Sequence, residues 1–282
     1  MSTNCEVNDI IPLSLGFSPC PNDTYIFHAL VHGRVHLVQS SIASVQLEDV
    51  ETLNEWALHQ RLDITKLSFH AFAHVRDHYT LLQSGAALGR GCGPLLISGS
   101  GNKPARLDDW TVAVPGKYTT AALLLCLYQP AYRHLVVMRF DQILGALAAG
   151  EVNAGVIIHE SRFTYRNFGL HCLQDLGEWW EQTTGLPIPL GCIAAKKSLP
   201  EEVREEFDHA IAASISWADA HPREGWEYIR AHAQEMDAQV MRSHIGLYVN
   251  DFSKGLGDEG GRAVHELLRR GAAVGLFAAD PD

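Results

Sequence analysis

His159 and Glu160 stand side by side at the end of a nearly continuous apolar run that begins at Gly150. An imidazole beside a carboxylate can accept or return a proton at neutral pH. A short apolar run of this kind reads as a strand buried on both faces. In open α/β sheets the ligand crevice lies just outside the carboxyl ends of such strands, so a titratable pair placed there sits where chemistry is done. The plain alternative is a histidine that closes the strand and donates to a neighbouring carbonyl. Successive residues of an extended chain point to opposite faces, so only one of the pair is expected to face a crevice, and His159 is the better candidate.

A second group of candidates could hold an anion. Thr119, Thr120 and Ala121 open an apolar helical run, where hydroxyls and unpaired amides can meet a carboxylate and the helix dipole adds roughly 0.3 to 2 kcal/mol. An ordinary N-cap explains the same residues equally well. Ser68 ends the apolar run Leu62–Phe69 and could close on the same ligand from across a cleft.

Histidines recur at intervals of four, as His28, His32 and His36 and again as His70, His74 and His78, which places each trio on one face if the segment is helical. A zinc site needs further ligands, and His159-Glu160 is not part of an H-E-x-x-H run because position 163 is Phe. The expectation is therefore no metal. A G-x-S-x-G elbow, a Walker A loop and a G-x-G-x-x-G fingerprint after a strand are all missing, which removes the simplest hydrolase, NTPase and dinucleotide readings.

The elements that must carry these residues alternate. Ile11–Phe17 reads as a strand, and Ser18-Pro-Cys-Pro-Asn-Asp-Thr24 as a loop into a helix over 25–30, with Asn22, Asp23 or Thr24 as its cap. Strands over 43–48 and 62–69 alternate with helices over 53–59 and 71–79. A second series follows: a strand over 110–115, a helix from Thr119 or Thr120, a strand over 134–139, a helix over 140–150 and a strand over 153–159. Repeated strand–helix units imply parallel sheets covered by helices. The Gly-Cys segments at 89–98 and 185–195 read as two crossings between lobes, and the helices after Pro200 return to the first lobe. The fold class is α/β with two lobes, residues 1–98 and 192–282 forming the larger and 99–191 the smaller, inserted one.

At 282 residues and 46% hydrophobic content each lobe can bury a core. A net charge of -11 argues against a nucleic-acid or anionic membrane partner. No run approaches the roughly 18 apolar residues of a membrane span. The N-terminus lacks a basic region followed by an apolar core, and Cys5, Cys20, Cys92, Cys126, Cys172 and Cys192 form no C-x-x-C pair, so reduced thiols in a cytoplasmic protein are expected.

The run Gly16-Phe-Ser-Pro-Cys-Pro-Asn-Asp-Thr-Tyr-Ile-Phe-His-Ala-Leu30, together with Lys66-Leu-Ser68, Tyr118-Thr-Thr-Ala121 and Ile157-Ile-His-Glu160, resembles the 1,4-dihydroxy-6-naphthoate synthase family of the futalosine route to menaquinone. The likeness spans most of the chain to about Ala195. It implies the type II fold of two-lobed periplasmic binding proteins, with two crossing segments at the hinge. It also implies the breakdown of cyclic dehypoxanthine futalosine, a small-molecule carboxylate, to 1,4-dihydroxy-6-naphthoate without metal or redox cofactor. By the same resemblance His159 is the proton-abstracting base, and Lys66, Leu67, Ser68, Thr120 and Ala121 bind substrate. Chorismate dehydratase of the same pathway, which shares the fold, and a non-catalytic receptor for a small anion are the alternatives.

Overall fold

The computed structural model describes residues 10–99, 110–130, 134–233 and 237–279. Cys5, the rest of the N-terminal segment 1–9 and the polar stretch 100–104 lie outside the described residues.

In chain order the elements are β1 (Ile11–Phe17), α1 (Pro21–Val31), β2 (Ser40–Leu47), α2 (Val50–Leu58), β3 (Ile64–Ser68), α3 (Phe69–Val75), β4 (Tyr79–Leu81) and β5 (Ala87–Gly89). Then come β6 (Leu95–Ser98), β7 (Thr111–Val114), α4 (Thr120–Tyr128), β8 (His134–Val137), α5 (Ile143–Ala148), β9 (Ala154–Ile157), α6 (Ser161–Thr164), β10 (His171–Asp175) and α7 (Leu176–Thr184). The chain ends with β11 (Ile188–Lys196), α8 (Glu201–Ala220), α9 (Trp226–His232), α10 (Ala238–Tyr248), α11 (Asp251–Lys254) and α12 (Gly257–Ala273).

The strands form two sheets. The first has the order β2-β1-β3-β11-β4, with β5 also on β11, and the second the order β10-β6-β9-β7-β8. Three strands in each are parallel, β2-β1-β3 and β8-β7-β9. The remaining pairings are antiparallel, because the two crossing strands run in reverse: β11 against β3, β4 and β5, and β6 against β9 and β10. The sheets are thus mixed, where strand–helix alternation predicts parallel ones. Leu95–Ser98, assigned to the first lobe by a boundary at 98, pairs in the second sheet, so that crossing runs through residues 90–94. The return begins before Ile188 rather than at 192.

Packing follows the apolar pattern. Leu13, Leu15 and Phe17 of β1 are fully buried in a core shared with α1 and α8. All four residues of β9 are buried, as a strand covered on both faces requires. A Cβ on Gly155 would stand 2.6 Å from Ile143 on α5, so the glycine lets that helix lie against the strand. A further core runs from Leu67 in the first sheet through Leu124 and Trp180 to Leu267. The C-terminal α12 packs on β11, α3 and α4 and so touches both lobes. No described helix is long and apolar enough to cross a membrane.

Candidate active site

A cleft of about 640 Å³, its open mouth included, lies where β3, the start of α4, the turn after β9 and the middle of β11 meet. That size suits a small organic ligand. Of the residues expected from the sequence, Lys66, Ser68, Thr120, Ala121 and His159 line it. Leu67 does not. Alternation along β3 turns its side chain, wholly buried, into the apolar core.

Lys66 is held by a partner that sequence reasoning assigned to a helix cap. Helix α1 begins at Pro21, with Cys20 as N-cap, so Asn22, Asp23 and Thr24 form its first turn. Proline at the first helical position starts the helix earlier than the cap residues suggest. The Asp23 carboxylate accepts from Lys66 Nζ at 2.9 Å, from Asn22 Nδ2 at 2.8 Å and from the Ser18 hydroxyl at 2.7 Å. Lys66 also donates to the Gly85 carbonyl at 3.3 Å. An ammonium has three donors, which leaves one for a ligand after these two partners.

Across the cleft, α4 begins at Thr120 with Thr119 as its N-cap, as expected. The Thr119 hydroxyl accepts from the Ala122 amide at 3.2 Å and donates to the Gly116 carbonyl, so it is spent on the cap. Thr120 donates its hydroxyl proton to the Leu190 carbonyl at 2.6 Å. The amides of Thr120 and Ala121 precede the helix's internal ladder, so no intrahelical carbonyl takes them.

Ser68 is tied back to α2. Its amide donates to Asn54 Oδ1 at 2.9 Å, and its oxygen accepts from Asn54 Nδ2 at 3.1 Å. The same Nδ2 donates to Glu51, which accepts the Tyr118 amide at 2.9 Å. This chain of bonds joins Ser68 in the first lobe to the loop before α4 in the second. Burial raises the Glu51 carboxyl above its usual range, against these donors. His70 makes a parallel link, its Nδ1 meeting the Thr119 carbonyl at 3.2 Å. Burial pushes His70 down to about 4.

The histidine that ends the apolar run is not in the strand. β9 stops at Ile157, and His159 sits in a turn with φ 56°, in the left-handed region. The turn, not strand alternation, sends the His159 ring to the cleft while Glu160 is buried behind it. The ring lies 5.0 Å from that of Phe140 and 5.9 Å from that of His244, nearly parallel to the latter. Burial lowers His159 below the ordinary imidazole value, favouring the neutral form.

His244, on α10, was not anticipated. It is wholly buried, lines the cleft beside Tyr248 and meets Asn22 Oδ1 through Nε2 at 2.9 Å. Its signal in the sequence is the spacing Met241, His244, Tyr248, which puts a histidine in the buried stripe of a helix. Lys66 gave a comparable signal for Asp23, since a lysine inside a buried strand requires a counter-charge.

The histidine trios do not persist as helical ladders. α1 ends at Val31 and α3 at Val75, leaving His32 at the C-cap of the first and His36 and His78 beyond them. Among the described residues one group brings metal-type ligand atoms together, Cys20, His159 and Glu160, within 4.8 Å of one another. Burial raises the Cys20 thiol well above its ordinary value. It therefore stands there as a neutral thiol. Cys92 and Cys192 are likewise buried, and burial raises both to about 12.

A family model described as menaquinone biosynthesis matches residues 13–273. A protein of Thermus thermophilus named 1,4-dihydroxy-6-naphthoate synthase is 53% identical over 270 residues, covering 95% of this chain and 97% of that one. A Streptomyces coelicolor protein of the same name is 45% identical over 272 residues, 95% of each chain. Among solved structures, a protein from Archaeoglobus fulgidus superposes with a TM-score of 0.88 at 36% identity, over 94% of this chain and 98% of that one. A Candida albicans protein described as exhibiting the generic periplasmic binding protein fold aligns over 97% of this chain and 92% of its own, with a TM-score of 0.67 at 15% identity.

Proposed function

The chain belongs to the menaquinone biosynthesis family, and on that premise we propose that it is an enzyme converting cyclic dehypoxanthine futalosine to 1,4-dihydroxy-6-naphthoate and a small sugar-derived fragment, in the cleft between its two sheets. The observation that carries the mechanism is the position of His159 on the wall of the cleft that Lys66, Ser68, Thr120 and Ala121 also line, where burial favours the neutral ring.

In this reading the substrate carboxylate rests on the Thr120 and Ala121 amides, where the helix dipole favours it. The remaining donor of Lys66 and the Ser68 hydroxyl hold the opposite side. His159 takes one proton from the substrate, and a positioned base contributes on the order of 10²- to 10⁴-fold. The electron pair released expels the fragment, the His159 imidazolium returns its proton to that fragment, and the ring that remains becomes aromatic. Aromatisation supplies the driving force. The links Glu51–Tyr118, His70–Thr119 and Thr120–Leu190 bridge the lobes around the cleft, and closure of this kind excludes water from the reacting atoms.

The test is incubation of the purified protein with cyclic dehypoxanthine futalosine and, separately, with chorismate, following the naphthoate chromophore. Turnover of the first is the expected result. Turnover of chorismate alone would assign the dehydratase reaction instead, and tight binding of either without turnover would make the protein a receptor.

A further inference from the structure

Beside His159 lie two buried polar atoms without a hydrogen-bond partner among the described residues, Glu160 Oε2 and His244 Nδ1, 3.9 Å apart. The surrounding bonds fix what each can be. A carboxylate only accepts, so Asn22 turns its NH₂ group to Asp23 and its oxygen to His244. His244 must therefore donate to Asn22 through Nε2–H, and in the neutral ring Nδ1 is a bare lone pair. Oε2 is an acceptor as well. Two buried acceptors facing each other without a donor are each unsatisfied, an arrangement folded proteins avoid. One proton between them satisfies both.

We propose that Glu160 and His244 hold one proton between Oε2 and Nδ1, and that this uncharged pair is a positioning device that lets His159 remain an uncharged base. A shift of about 1 Å by the Glu160 side chain brings the two atoms to hydrogen-bond distance. The inference rests on His159 being the base of the proposed reaction.

The charges around the pair explain why its proton count matters. His159 faces Asp23 and Asp49, which favour its charged form, and Lys66, which opposes it. Lys66 and Asp23 form an ion pair, so the largest unbalanced charge available to His159 is a bare Glu160 carboxylate on its own turn. Such an anion would stabilise the imidazolium and work against the burial that keeps the ring neutral. On the other side of the pair stand the Tyr248 ring, 4.7 Å from His244, and the Cys20 thiol, both raised chiefly by burial. Both are therefore neutral and supply no cation. Burial also holds His244 well below the ordinary imidazole value, so an isolated imidazolium does not form there without the carboxylate.

The test is a histidine-resolved NMR titration of the ligand-free enzyme, wild type against Glu160→Gln. Glutamine is uncharged and can place an N–H where the shared proton sits. With a pair that is already neutral, the His159 midpoint moves by less than about half a pH unit; removal of an uncompensated carboxylate would lower it by about one unit or more. A fall beyond half a unit overturns the proposal. The wild-type spectrum provides a second reading that needs no variant: His244 is expected as the Nε2–H tautomer with Nδ1 in a hydrogen bond to a proton. A free, unprotonated Nδ1 overturns the proposal as surely. Neither measurement uses substrate, so a failure of cyclic dehypoxanthine futalosine to turn over would sink the proposed reaction and leave this result standing.

Discussion

The Lys66 ammonium and the Asp23 carboxylate meet at 2.9 Å with side chains only 6% and 2% exposed. The pair pins the first turn of α1 to the middle of β3. Removing one partner from a buried ion pair strands the other charge, which destabilises by about 3–5 kcal/mol. Lys66→Met is expected to lower stability by about that amount in urea unfolding, and Lys66→Met with Asp23→Asn to recover much of it. A single variant within about 1 kcal/mol of wild type would show that the pair is not a structural fixture.

His159→Asn separates chemistry from backbone. Position 159 has φ 56°, a conformation that Asn tolerates and β-branched residues do not. The variant should keep its melting temperature and bind substrate within a few-fold, while kcat falls on the order of 10²- to 10⁴-fold. Activity near wild type would exclude His159 as the essential base.

Stability should fall with acid through His70. Its folded value, about 4 because of burial, lies below the roughly 6.5 of an unfolded chain. The unfolded state therefore binds the extra proton first, and stability present above about pH 6.5 is lost as the pH drops toward 4, by about 3 kcal/mol in all. Urea midpoints at pH 7.5 and 4.5 should differ less for His70→Gln than for wild type. Equal differences would assign the acid sensitivity to other groups.

The first crossing depends on a contact between two backbones. A Cβ added to Gly93 would stand 2.3 Å from Gly177 at the start of α7. Arg162 secures the same place, bonding to the Gly93 carbonyl and, at 2.7 Å, to Asp175. Gly93→Ala should cost about 1–3 kcal/mol, the usual penalty of forcing an atom into filled space. A melting temperature unchanged from wild type would mean that the crossing gives way freely.

Much of this was legible in the residues. β1 was read to its exact bounds, Ile11–Phe17, because proline-rich punctuation follows a clean apolar run. The α4 start was legible because two threonines precede an uninterrupted apolar helix. Other features were hidden for identifiable reasons. Apolar periodicity cannot register a turn built on a non-glycine residue, so the apolar pattern continues to His159 although the strand stops at Ile157. Strand direction is invisible to composition, so the reversed sense of β6 and β11 was missed. Asn22 and Asp23 looked like caps because their partners, His244 and Lys66, lie 222 and 43 positions away.

Because β11 fills the first sheet between β3 and β4, that sheet cannot be completed until Lys196 has been synthesised. A chain emerging from the ribosome would hold β1, β2 and β3 ready while one edge of β3 waits for a strand more than a hundred residues downstream. The inserted lobe has all its strands by Asp175 and can finish first. An unpaired β3 edge is open to wrong pairing in the nascent chain, and in this protein synthesis order makes the earliest lobe the last to close.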